Sequence, residues 1–244
     1  AIDPGGFGAV TITKSITIDG QGTMASILAA GTNGVNVNDS ASASPNTSVV
    51  YLRNISINGA TTGLVGINIT AARNVSIESC VIMGFRAGNG NGVRDARTVA
   101  TNPAGQLWIT DTSIYNTSGS AVIIVGAAAA QLRAFLNNVR IMGGSSHGVQ
   151  VQNASTAHIR ESAINGMLGD GVRVETASKV NVISSMLNGN LTGVNNVAGI
   201  VNLADVTMMN NANGVAGVPV ISLGNNNVKD NGGGNALPAA IGQQ

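Results

Sequence analysis

Few side chains in this sequence can do chemistry, and those that can recur at equivalent places. Tyr51, Ser76, Trp108, Phe135, His158 and Asn181 each occupy the same position in a repeated segment. Two residues after them come Arg53, Glu78, Thr110, Asn137, Arg160 and Ile183, and Asp111 and Glu161 follow directly. Aromatic rings beside guanidinium groups and carboxylates are a set with which proteins hold sugars: ring faces stack on pyranose C–H groups, while charged groups take hydroxyls or uronate carboxylates. Tyr51, Arg53, Glu78, Trp108, Asp111, Phe135, His158 and Arg160 therefore form the candidate ligand-binding face. The long segments 38–48 and 95–105, which precede Tyr51 and Trp108, are placed to wall it. An acid–base site would require Glu78, Asp111, Arg53 and Arg160 to converge, with His158 as a further candidate. A face that only binds, or that packs against a partner, makes no such demand.

Other chemistries find less support. Cys80 falls in an inward-facing position and reads as core. One cysteine and two histidines make neither a zinc site nor a nucleophilic triad. The eleven acidic residues are too scattered to cage a hard cation, so no metal, cofactor or catalytic residue is assigned. The glycine-rich stretches 84–92 and 231–235 lack the Lys-Ser/Thr ending of a phosphate loop. A net charge of +1 offers no field to attract nucleic acid, and no apolar run is long enough for a membrane-spanning helix.

The elements that must position the candidate face come from internal repeats. One motif reads strand, bend, strand, turn: ITKSITIDG (12–20), LRNISING (52–59), IESCVIMG (77–84), ITDTSIYN (109–116), LNNVRIMG (136–143), IRESAING (159–166) and VISSMLNG (182–189). Between these copies a second motif opens at Gly34, Gly66, Gly92, Ala121, Gly148, Gly171, Gly193 and Gly214, usually as GVxV. Its spacing shortens from 32 residues (Gly34 to Gly66) to 21 (Gly193 to Gly214), so a rung of roughly 20 residues carries loops in its N-terminal half. Strands this short, alternating with period two and returning in constant order, predict a parallel stack.

Stacking predicts columns. Ile18, Ile57, Ile82, Ile114, Ile141, Ile164 and Leu187 should point inward, as should Val35, Ile67, Val93, Val122, Val149, Val172, Val194 and Val215. Composition agrees with a thin aliphatic core: 43% of the 244 residues are hydrophobic and only 2% aromatic. The 33 glycines are read as positive-φ corners, His147 as a left-handed turn residue in the slot of Asn91, Asp170 and Asn213, and Asn58, Asn165 and Asn188 as an amide ladder.

The VTITKSITIDG and GVxV rungs resemble the right-handed β-helix repeats of the pectin lyase-like superfamily along essentially the whole chain. The opening DPGGFGAVTITKSITIDGQG looks like the first complete rung of bacterial members, whose upstream residues hold an amphipathic cap, which implies a truncated or processed N-terminus here. The resemblance implies an acidic polysaccharide as substrate for relatives that are enzymes. Of their acid–base motifs only Ser146-His147-Gly148 gives a partial match, and paired aspartates are missing.

The sequence is thus read as all-β: a right-handed, single-stranded parallel β-helix of about nine rungs over 1–230, with a glycine-rich tail or cap at 231–244. Its expected function is that of a non-catalytic structural or surface-interaction solenoid with a polysaccharide as candidate partner. A polysaccharide lyase or glycoside hydrolase is the alternative. A secreted or cell-surface location is expected, and self-association could proceed through exposed rung ends.

Overall fold

The structure, a computed structural model, describes residues 3–98, 105–127 and 131–240. Among them there is no helix; the chain passes through 28 short strands. These stack in parallel into three sheets of nine, nine and ten strands. Each rung contributes one strand to each sheet in turn, for example Asp170–Val174 to the first, Lys179–Ile183 to the second and Met186–Asn188 to the third. Nine strands in each of the first two sheets match the expected nine rungs and enclose about eight full turns. A parallel β-solenoid follows naturally from strands too short to bury a face alone, since each rung is completed only by its neighbours.

The GVxV column stands as read. Val35, Ile67, Val93, Val122, Val149, Val172 and Val194 are aligned in register and fully buried, and Val215 closes the series half-buried. In the third sheet Ile57, Ile82, Ile114, Ile141, Ile164 and Leu187 form a second buried column. The first rung departs from its expected alignment: Ile18 pairs with Leu52 in the second sheet, and Ile27 takes the place beside Ile57. The segment 12–20 bends from the first sheet into the second, whereas the later copies bend from the second into the third. Similar letters therefore mark different corners.

The corner between the second and third sheets is left-handed and held mostly by residues other than glycine. Asn54, Ser79, Asp111, Asn138, Glu161, Ser184 and Asp205 all have φ between 45° and 54°. The next residue points inward and caps the bend. Ser185 Oγ, for instance, donates to the carbonyl of Ile183 at 2.7 Å and accepts from Ser162 N–H at 3.2 Å. Thr112 and Ser162 do the same one rung to the next. Cys80 lies in this column, buried as expected, and burial pushes its thiol up to about 11.

Glycine at the head of GVxV has a different task from the one expected. None of these glycines has a positive φ; a Cβ on Gly34 would lie 2.6 Å from Ile57 Cγ2 and 2.7 Å from the Gly66 carbonyl oxygen. The column exists because backbone and Ile side chain close on each other. Positive φ belongs instead to Gly84, Gly143, Gly166 and Gly189, at the corner after the third sheet. His147 does occupy the slot of Asp170 and its neighbours, but it is not left-handed; its Nδ1 accepts from the Asp170 amide at 3.0 Å.

The amide ladder also lies elsewhere. Asn165 Oδ1 is buried without a partner and Asn58 Oδ1 accepts from Ala60 N–H, while Asn188 Oδ1 does accept from a side-chain amide of the next rung, Asn210 Nδ2, at 2.9 Å. Two residues beyond the Asn188 position, Asn190, Asn211 and Asn231 form the continuous run. Asn190 Nδ2 donates to Asn211 Oδ1 at 3.1 Å, and Asn211 Nδ2 to Asn231 Oδ1 at 2.9 Å. Asn231 Nδ2 donates on to Asn235 Oδ1 at 2.8 Å, and other bonds of the run go to main-chain groups, including the carbonyls of Ile164 and Leu187, which satisfies polar atoms inside the C-terminal rungs. No strand lies beyond Asn227–Val228 among the described residues, and Leu237 packs against the core.

Candidate functional site

The candidate face is the outer surface of the second sheet. Tyr51, Ser76, Trp108, Phe135, His158 and Asn181 occupy six adjacent strands in exact lateral register, as alternation requires. Arg53, Glu78, Thr110, Asn137, Arg160 and Ile183 form the parallel column beside them.

Register stacks the rings on one another. Trp108 and Phe135 have centroids 5.8 Å apart and planes within 16°; Phe135 and His158 are 5.2 Å apart and within 7°. Such offset stacks are favourable by about 0.5–1.5 kcal/mol per pair. They also consume the ring faces. The strip therefore presents edges outward, and is not the flat platform that a sugar chain could lie along. His158 ends the stack in a polar run: Asn181 Nδ2 donates to His158 Nδ1 at 3.0 Å, and Asn181 Oδ1 accepts from Asn202 Nδ2 at 2.7 Å. Burial, with Arg133 nearby, holds the His158 imidazole below its ordinary value.

One aromatic face is left open. Between Tyr51 and Trp108 the column is occupied by Ser76, too small to fill its place in the stack. The result is a depression of about 330 Å³ lined by Val49, Val50, Tyr51, Asn74, Ser76, Glu78, Trp108 and Thr110. Glu78 sits at its side, ion-paired with Arg53 (Nε to Oε2 2.9 Å, without hydrogen-bond alignment) and accepting from Ser76 Oγ at 2.7 Å. Arg53 in turn lies over the Tyr51 ring, with Cζ 5.0 Å from its centroid, a cation–π contact.

The eight candidate residues thus share a sheet face but not a site. Tyr51, Arg53, Glu78 and Trp108 come together. Asp111 is turned into the left-handed corner, where its Oδ1 accepts from Asn138 Nδ2 at 2.6 Å. Arg160 pairs with Glu161 at 3.2 Å and stands three strands from Glu78, about 14 Å along the axis. The convergence that an acid–base centre required of Glu78 and Arg160 is absent.

The loops do not wall the depression in the expected way. The 38–48 segment is tied down by the buried Asp39, which accepts from the amides of Asn46, Thr47 and Ser48 at 2.7, 3.1 and 2.9 Å. Burial opposes its charge, but these bonds and the Ser48 side chain hold its carboxyl below the usual range. The loop meets the depression only at Val49 and Val50, where it has already become strand. Residues 99–104 of the second loop lie outside those described.

At the root of that second loop is a pair that alternation did not disclose. Asp95 points inward, in a column whose other members include Val37, Ile69, Ile124, Val151 and Val174 and, further along, the buried Asn196. Arg97 folds back to meet it, Nε to Oδ1 at 2.8 Å and Nη2 to Oδ2 at 2.5 Å. Arg97 Nη1 also donates to the Arg73 carbonyl at 2.7 Å, and both side chains are almost fully buried. The sequence signal was available: a GVRD at 92–95 where the rungs on either side, GINI at 66–69 and AVII at 121–124, end in an aliphatic residue.

Among the described residues no three His, Cys, Asp or Glu side chains gather where they could hold a metal, and no helix is long and apolar enough to cross a membrane. Comparison with known proteins gives no match: no family model fits the chain, and neither a curated protein nor a solved structure matches it.

Proposed function

We propose that this protein is a non-catalytic β-solenoid that binds carbohydrate at the depression between Tyr51 and Trp108. The observation that carries the reading is the open face of Trp108 above a polar floor of Asn74, Ser76 and Glu78. An indole face against sugar C–H groups, with a carboxylate, hydroxyl and amide beside it, is a complete set for gripping one ring. The rung pattern supports a place among right-handed β-helices of the pectin lyase-like superfamily, and a secreted or cell-surface setting goes with it. A lyase or hydrolase has less support, because Glu78 is committed to Arg53 and Ser76 while Asp111 serves a backbone corner.

The test is titration of the wild-type protein with a panel of oligosaccharides, read by calorimetry and by Trp108 fluorescence. Binding is expected to be saturable, to shift the emission, and to weaken about tenfold or more in Trp108→Ala by calorimetry, the scale of a buried aromatic anchor. Equal affinity in that variant would move the site elsewhere, and no heat with any sugar would end the carbohydrate reading.

A further inference from the structure

The depression has a direction and a charge, and both restrict what could enter it. Tyr51 and Trp108 stand on strands two apart, about 9.6 Å along the axis, with Ser76 midway. A single six-membered ring placed midway would be about 4.8 Å from Trp108, within the range over which aromatic rings make stacking contacts, roughly 4.5–7 Å, with Tyr51, covered by Arg53, at the far end of the slot. The Trp108 plane is nearly parallel to that of Phe135 on the next strand. Rings 5.8 Å apart on strands about 4.8 Å apart are offset, so their planes cross the solenoid axis at an incline. A sugar lying on the open Trp108 face shares that inclined plane, and its glycosidic bonds leave sideways or outward. Its in-plane hydroxyls meet the row Asn74, Ser76 and Glu78, which lies across the axis in one strand.

The charged group that lines this slot is the Glu78 carboxylate, and Asp111 is at the corner after Thr110. Arg53, ion-paired with Glu78 and covering Tyr51, and Arg73, just before Asn74, are the cations nearest in the chain. The remaining cations of this face, Arg133, Arg160 and Lys179, are two, three and four strands away from Ser76.

We infer that the slot takes one neutral sugar unit, inserted across the solenoid axis between Tyr51 and Trp108, with adjacent hydroxyls donating to Glu78, and that it discriminates against uronates. This rests on the carbohydrate reading above and gives it a chemical class. A carboxylate on the ligand would meet Glu78 and would have to displace it from Arg53, whereas a pair of hydroxyls adds hydrogen bonds to a carboxylate that is acceptor-only. Ser76 is the specificity-determining residue, because its size leaves the ring's place open.

Calorimetry of the whole chain with neutral oligosaccharides and with uronate oligosaccharides of matched length tests this. Neutral sugars are expected to bind at least about tenfold more tightly, the difference to shrink in Glu78→Gln, and affinity to stop rising beyond the first few units, since a chain crossing the axis leaves the protein. Ser76→Phe, checked for a native circular dichroism spectrum, is expected to fill the gap and abolish binding. Uronates binding as tightly as neutral sugars, or affinity growing with every added unit, would overturn the inference while leaving sugar binding intact. Undiminished binding by Ser76→Phe would do the same by removing the ligand from the slot. No binding by either class would remove both proposals together.

Discussion

The buried pair of Asp95 and Arg97 shows how much one residue can depart from the pattern of its column. Asp95 stands where aliphatic side chains stand in neighbouring rungs, and its charge is tolerated because Arg97 meets both carboxylate oxygens. Removing one partner leaves the other desolvated and alone. Arg97→Met is therefore expected to lose about 3–5 kcal/mol of stability in urea unfolding. The double change Asp95→Ile with Arg97→Met should recover most of that loss, since Ile69 and Ile124 already flank the site, and a matched hydrophobic replacement of a buried pair is often neutral or better. A double variant no more stable than the single one would mean that the pair contributes more than mutual compensation, with the bond from Arg97 to the Arg73 carbonyl the first place to look.

At the level of elements, two glycine positions five residues apart in one rung answer to different physics. Gly143 has φ 57° and open space where a Cβ would go, and Asn116 and Asn210 hold the equivalent corner in other rungs. Gly143→Asn should therefore stay within about 1 kcal/mol of wild type. Gly148 has an ordinary φ, but a Cβ would sit 2.5 Å from the Gly171 carbonyl oxygen and closer still to Ile164. Gly148→Ala is expected to lose about 1–3 kcal/mol by overpacking. Equal losses at the two sites would contradict the distinction between conformation and room.

These two glycines also mark where sequence reading stops. Alternation and register are properties of single strands and their repeats, so the parallel stack, the GVxV column and the outer position of Trp108 were all legible. What lies between rungs was less so. The closing of Gly148 on Gly171, the stacking of Trp108 on Phe135 and the run from Asn190 to Asn231 each join residues twenty or more positions apart, through side-chain directions that letters do not carry. Ile18 was misaligned for a related reason: a strand–bend–strand phrase looks the same at either of two corners.

For the whole molecule, both histidines favour the neutral form. Burial is the main cause at His147, outweighing Asp170, and also at His158, where Arg133 adds to it. A histidine whose folded value is depressed takes up a proton more readily in the unfolded chain. Its contribution is thus intact above the unfolded value of about 6.5 and is lost as pH falls from there through the lower folded value. Asp19 and Asp39 are depressed as well, so their contribution persists above the unfolded carboxylate value of about 3.9 and disappears as pH falls through the folded ones. Urea midpoints should therefore decline in two stages on acidification, the first beginning near pH 6.5 and diminished in a His147→Gln, His158→Gln variant. A flat profile between pH 8 and 5 would refute the first stage.

The parallel pairing of all three sheets has a mechanical consequence. Hydrogen bonds between strands are directed along the solenoid axis, so tension applied between the first and last rungs would load them end-on, like the teeth of a zip opened from one end. Each detached rung, 22 residues in the interval from Val172 to Val194, would pay out about 70–80 Å of slack chain. As a tether the molecule would lengthen in steps under a modest, nearly constant force, and would rewind from whichever rungs were still closed.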